Sequence, residues 1–139
     1  MKRCGAIAID VGTSSCKTGI VSVDGEVLFN RRKFFPILSG ERLTASLLFS
    51  VVLEELNLAI DWGLETGVLL LGICISGNGP TLVSVDRTSR EKDVLLMWNE
   101  TVNCGIQDEE SKQCIEHSRS IFLPRLLAFK ANHTQSYQN

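Results

Sequence analysis

The sequence is poor in the features that announce specialised classes. Its 14 lysines and arginines nearly balance 16 aspartates and glutamates, for a formal net charge of −2. No broad basic surface for nucleic acid is therefore expected, and the one basic cluster, Arg31-Arg32-Lys33, reads as the solvated edge of a strand. No apolar run is long enough to span a bilayer, which takes about 20 residues; the longest, residues 68–75, is interrupted by Gly72. The five cysteines are odd in number and lack a Cys-x-x-Cys pair. That argues against a zinc site or a disulfide framework and for free thiols in a reducing, cytoplasmic setting. Cys4, Cys16 and Cys74 lie in or beside apolar runs, where buried thiols are expected. The two histidines, His117 and His133, read as surface residues rather than catalytic bases. The basic start Met1-Lys2-Arg3 leads into an apolar stretch that Asp10 ends too soon for a secretory signal. The chain has neither the G-x-x-x-x-G-K-[ST] nor the G-x-G-x-x-G phosphate fingerprint, and no internal repeat.

What is present fits one domain of 139 residues, 44% hydrophobic and 22% charged, long enough to bury a real core. Residues 4–9 and 17–23 read as short strands. Asp24-Gly25 between apolar runs signals a hairpin, and residues 26–35 form a third strand that Pro36 stops. The opening is therefore an antiparallel meander. Residues 43–62 carry apolar side chains at helical spacing, with Glu54, Glu55 and Asp61 as polar interruptions, and Gly63 or Gly67 ends the helix. Residues 68–76 form a continuous apolar run that fits a central strand covered on both faces. After the loop 76–80 come short strands at 82–85 and 94–98 and helices at 107–117 and 121–130, with Pro124 in the first turn of the last. The sum is an α/β fold, a mixed sheet with packed helices.

The chemistry concentrates in Asp10-Val11-Gly12-Thr13-Ser14-Ser15-Cys16-Lys17. Gly12 lets the backbone approach an anion closely. Thr13, Ser14 and Ser15 each offer a hydroxyl and an N–H, and successive inward N–H groups make an anion-binding concavity. Lys17 adds a cation within reach. Asp10 repels phosphate unless a cation lies between them, so its natural role is to orient Mg²⁺ through water. An ordinary polar hairpin connection is the plain alternative.

Residues 9–14, Lys17, the following strand and Asp24-Gly25 together resemble the first phosphate motif of the actin-like ATPase superfamily, whose fold is ribonuclease H-like. Within it the chain is similar to the N-terminal domain of the FGGY carbohydrate kinases, the group of xylulokinase and glycerol kinase. The segments 73–86, Leu95-Leu96-Met97-Trp98-Asn99-Glu100 and 123–130 agree in order, so the likeness covers nearly the whole chain. The resemblance implies that residues 1–139 are the N-terminal part of kinase domain I, without the C-terminal domain. It implies ATP and Mg²⁺ as cofactors, with Asp10, Gly12, Thr13, Ser14, Ser15 and Lys17 on the nucleotide side and Asp10 serving the metal. It places Asn78, Gly79, Pro80, Asn99 and Glu100 near a sugar or polyol. The family carries Gln-Met-His-Gly where this chain has Asn78-Gly79-Pro80-Thr81, and Pro80 has no N–H to donate, which argues against xylulose. The family's catalytic aspartate lies later in its chain, and no aspartate here stands in a matching context. The chain is thus expected to be an inactive fragment of an ATP-dependent carbohydrate kinase, its partners a sugar or polyol, a C-terminal kinase fragment or a second copy. The alternative is a non-enzymatic binding module that retains the fold. Missing partner surface also predicts exposed apolar residues.

Overall fold

A computed structural model describes residues 3–37, 41–85, 93–101 and 122–134. The chain divides into two compact units, Met1–Asn78 and Gly79–Asn139.

In the first unit, strands β1 (Cys4–Val11), β2 (Ser15–Ser22) and β3 (Val27–Phe34) are followed by helix α1 (Ala45–Thr66) and strand β4 (Leu69–Gly77). The sheet order is β3-β2-β1-β4. The meander is antiparallel as expected. The hairpin turn at Asp24-Gly25 places Gly25 at φ 85°, a left-handed conformation that glycine adopts without a Cβ clash. β4 returns through α1 to lie parallel to β1, with Asp10 opposite Ser76, as a crossover connection requires.

Strand alternation sends Ile7, Ile9, Cys16, Thr18 and Ile20 to one face, where each is 2% exposed or less. α1 covers this face. Thr44 caps its first turn by accepting from the Leu47 N–H at 3.1 Å, and Gly67 stops it. Of the two expected stops, Gly67 is the one used: Gly63 stays helical and packs against the side chain of Leu70.

Two expectations are corrected. The buried stripe of α1 is Val51, Glu55, Ala59 and Gly63, so Glu55 is no interruption but lies at its centre, fully buried. Arg31 on β3 resolves the charge, donating from Nε and Nη2 to the two Glu55 oxygens at 3.2 Å each. That bond, and the nearby carboxylate, hold Arg31 further toward its charged form. Second, β4 is not a strand covered on both faces. Among the described residues it is a sheet margin, with Leu69, Leu71, Ile73 and Ile75 between 52% and 62% exposed. Cys74 on it is exposed rather than buried, whereas Cys16 is buried.

The second unit pairs β5 (Leu82–Ser84) antiparallel with β6 (Val94–Leu96). Helix α2 (Leu123–Asn132) carries Pro124 in its first turn and buries Arg125, Ala128 and Phe129. The helix expected at 107–117, with His117, lies outside the described residues. No described helix is long and apolar enough to cross a membrane.

Candidate functional site

Asp10 sits one residue before the end of β1. Its antiparallel neighbour is Lys17 and its parallel neighbour Ser76. Lys17 Nζ donates to Asp10 Oδ2 at 3.0 Å, with both side chains about half exposed at 54% and 47%. An exposed pair of this kind contributes about 0–1 kcal/mol. It brings two expected site residues together without locking either against a ligand.

The loop between β1 and β2 is Gly12-Thr13-Ser14. The Gly12 N–H donates to the Ser15 carbonyl at 2.9 Å, and a Cβ at Gly12 would stand 3.0 Å from that same oxygen. The turn is tight enough to disfavour any larger residue. Thr13 Oγ1 accepts from Asn78 Nδ2 at 2.7 Å, and the Asn78 N–H donates to the Val11 carbonyl at 3.2 Å. The loop after β1 is therefore tied to the chain leaving β4, both at the carboxyl ends of two parallel strands. Open α/β sheets bind ligands at such ends.

Ser14 is exposed, with its carbonyl accepting from the Phe35 N–H. Ser15 is placed differently: it is 4% exposed, and its Oγ accepts from Arg32 Nε at 3.1 Å. Arg32 also lies over the Phe34 ring, 4.6 Å from its centroid. Sequence reasoning passed over Arg32 by treating the basic cluster as solvated. The signal was available: counting outward from the Asp24-Gly25 turn pairs Arg32 with Lys17, as observed. Lys17 and Arg32 outnumber Asp10, so the loop environment favours an anion. On the face that α1 leaves open, Ala8, Lys17, Gly19, Asn30, Cys74 and Ser76 help to line an open depression of about 250 Å³. Small residues at Ala8 and Gly19 create it.

Cys16, beside this loop, points the other way into the core. Burial pushes its thiol up, against a lowering contact with Thr18, and Glu55 and Asp10 push it further.

A magnesium ion commonly keeps its waters and takes one or two carboxylates plus substrate phosphates. Asp10, a half-exposed carboxylate beside a loop that favours anions, fits that need. No group of three or more metal-ligating side chains occurs among the described residues, which a phosphate-bound ion does not require.

In the second unit, the β5–β6 pairing brings Pro80-Thr81 and Trp98-Asn99-Glu100 to one end of a hairpin. The Trp98 N–H donates to Thr81 Oγ1 at 3.2 Å, and the Glu100 N–H donates to the Met97 carbonyl at 3.1 Å. Arg125 from α2, 7% exposed, donates from Nη2 to the carbonyls of Trp98 and Glu100. It fixes the backbone of that turn, a role that the sequence did not reveal. Gly79 and Asn99 are exposed, and Pro80 and Glu100 half-buried. Asn78 belongs to the first unit, and Gly79, Pro80, Asn99 and Glu100 to the second.

No protein-family model and no curated protein matches this sequence. Solved structures do match. A gluconate kinase from Lactobacillus acidophilus aligns with 99% of this chain at 20% identity and a TM-score of 0.69. A glycerol kinase from Plasmodium falciparum, solved with ADP, aligns with 99% at 13% identity and 0.71. A xylulose kinase from Lactobacillus acidophilus aligns with 98% at 20% identity and 0.67. The chain spans about 30% of the length of each. The expected fold is therefore the observed one: the chain shares its fold with a portion of these three kinases.

Proposed function

We propose that this chain is the phosphate-loop portion of an ATP-dependent carbohydrate kinase, the N-terminal part of its domain I, acting on a sugar or polyol hydroxyl and inactive alone. Thr13, Ser14, Lys17 and the backbone of Gly12 face the nucleotide phosphates, with Ser15 and Arg32 bracing the loop from below. Asp10 orients Mg²⁺ through water. Bound Mg·ATP supplies the transferable phosphoryl group, and the chain's residues hold and neutralise its tail. Asn78, Gly79, Pro80, Asn99 and Glu100 serve the sugar. No residue described here is assigned as the catalytic base.

The observation that carries this reading is the bond from Asn78 to Thr13, which joins the two loops at the carboxyl ends of β1 and β4 beside Asp10 and Lys17. The fold likeness adds weight, since the glycerol kinase of the same fold was solved with ADP. Binding should be weak, because few contacts come from this chain alone. Titration with Mg·ADP, followed by amide chemical shifts, should move Gly12, Thr13, Ser14 and Lys17 first. Asp10→Asn should abolish the difference between magnesium-loaded and metal-free ADP. Shifts confined to other residues, or none at millimolar nucleotide, would refute the assignment.

A further inference from the structure

Arg125 stands where a cation is disfavoured twice over. It lies in the first turn of α2, directly after Pro124. The positive end of a helix dipole opposes a cation there and favours an acid or a bound anion. This first turn holds no acidic residue, and Phe122 before it supplies no side-chain cap. Arg125 is also buried, at 7% exposure. A buried charge is costly unless it is paired.

Its partners do not supply that pairing. Nη2 donates to the carbonyls of Trp98 and Glu100. Both acceptors are neutral, and Glu100 contributes its main chain rather than its carboxylate. Nη1 is buried as well and has no hydrogen-bond partner. No other buried side-chain nitrogen or oxygen is stranded in this way among the described residues. Nη1 carries two N–H groups, and buried polar groups are otherwise almost always bonded. Arg31 shows the contrast, since it meets both oxygens of Glu55. No described carboxylate pairs with Arg125.

The stranded nitrogen and the acid-free helix start are separate observations, and both call for negative charge. The turn that Arg125 holds carries exposed Asn99 and half-buried Glu100, which the kinase reading gives to the acceptor sugar. Trp98 and Phe122, at 45% and 50% exposure, leave this end of the unit open to solvent. An anion arriving here belongs to the acceptor. Glu100 on the same turn repels a phosphate dianion more than a carboxylate, and its own carboxylate accepts from hydroxyls. A polyol chain that ends in a carboxylate suits each of these groups.

We propose that Arg125 and the start of α2 bind the carboxylate of a sugar acid, so that the acceptor is an aldonate rather than a neutral sugar. The ligand's role as acceptor rests on the kinase reading, while its charge rests on Arg125.

The test follows chemical shifts of the whole chain during titration with gluconate, and with sorbitol as the neutral chain of equal length. Gluconate should move the amides of Trp98, Asn99, Glu100 and Leu123 and the side-chain Nε–H of Arg125. Its midpoint should lie at least about tenfold below that of sorbitol, because the neutral compound lacks the charge-assisted bond to a buried cation. Inorganic phosphate should bind more weakly than gluconate. Arg125→Gln removes the charge and should bring the gluconate midpoint to that of sorbitol, with Ala128 and Phe129 amides unmoved as the sign that α2 stays folded. If the variant does not fold, the gluconate and sorbitol midpoints on the unaltered chain decide. Equal midpoints would overturn the proposal. So would no response to gluconate, shifts that spare residues 98–100 and 123–125, or phosphate that binds as tightly. The Mg·ADP shifts at Gly12, Thr13, Ser14 and Lys17 are read separately. Their loss with gluconate still bound would count against the kinase reading and leave the anion site standing.

Discussion

The two margins of one sheet show how differently a strand end can be finished. At β3, a buried carboxylate on α1 and a half-exposed guanidinium fix the strand to the helix, and further cations keep other strands away. At β4, apolar side chains stand half exposed where a core would continue, with no charge along the strand. The first margin is tied to its helix, while the second leaves Leu69, Leu71, Ile73 and Ile75 more than half exposed.

Several measurements would break or sharpen this contrast. The largest effect is expected from Arg31→Ala. It leaves the fully buried Glu55 without its partner, and an unpaired buried charge is strongly destabilising. The melting temperature should fall by roughly 10 °C. Adding Glu55→Met should restore about half of the loss, since a matched apolar replacement of a buried pair is often tolerated. No recovery in the double variant would mean that the ion pair itself, rather than the stranded charge, sets the stability of the β3 margin.

A smaller effect is expected from pH. The Cys16 thiol is pushed above its usual value of 9.0, chiefly by burial. A group raised in the folded state contributes stability that is fully present below its unfolded value and lost as pH rises past it. Urea midpoints should therefore decline above about pH 9, and Cys16→Ala should flatten that alkaline limb. An unchanged limb in the variant would assign the decline to other groups. The smallest effect is expected from Lys33→Ala. Its pair with Glu54 is exposed on the carboxylate side, 53%, and partly so on the lysine, 30%. The loss should stay under about 1 kcal/mol by chemical denaturation. A larger loss would place the guard of the β3 margin in Lys33 rather than in Arg31.

Much of this was legible in the sequence. The Asp24-Gly25 turn fixes the meander, because only a tight, positive-φ turn joins those two runs. Gly12 between Asp10 and Lys17 marks the loop, because residue type there is dictated by backbone closeness rather than by packing. β4 was less legible. A continuous apolar run reads as buried from either side, since periodicity records what a side chain prefers and not whether a neighbour arrives. Glu55 was hidden for the opposite reason: a carboxylate on a helix reads as solvated, and its partner lies 24 residues earlier on another element. Ser15 illustrates the same limit at the site. Its hydroxyl belongs to the motif in sequence, yet it is nearly buried and accepts from Arg32 on the neighbouring strand.

Two cysteines that the sequence places alike, in apolar runs, become in the folded chain a fast and a slow clock. Cys74 stands open to reagents, while Cys16 lies sealed between α1 and the sheet in its neutral form. Thiolate is the reactive species, so alkylation of Cys16 must wait for the helix to lift from the strands. Labelling of the first thiol reports that the protein was touched, and labelling of the second times how often its core opens.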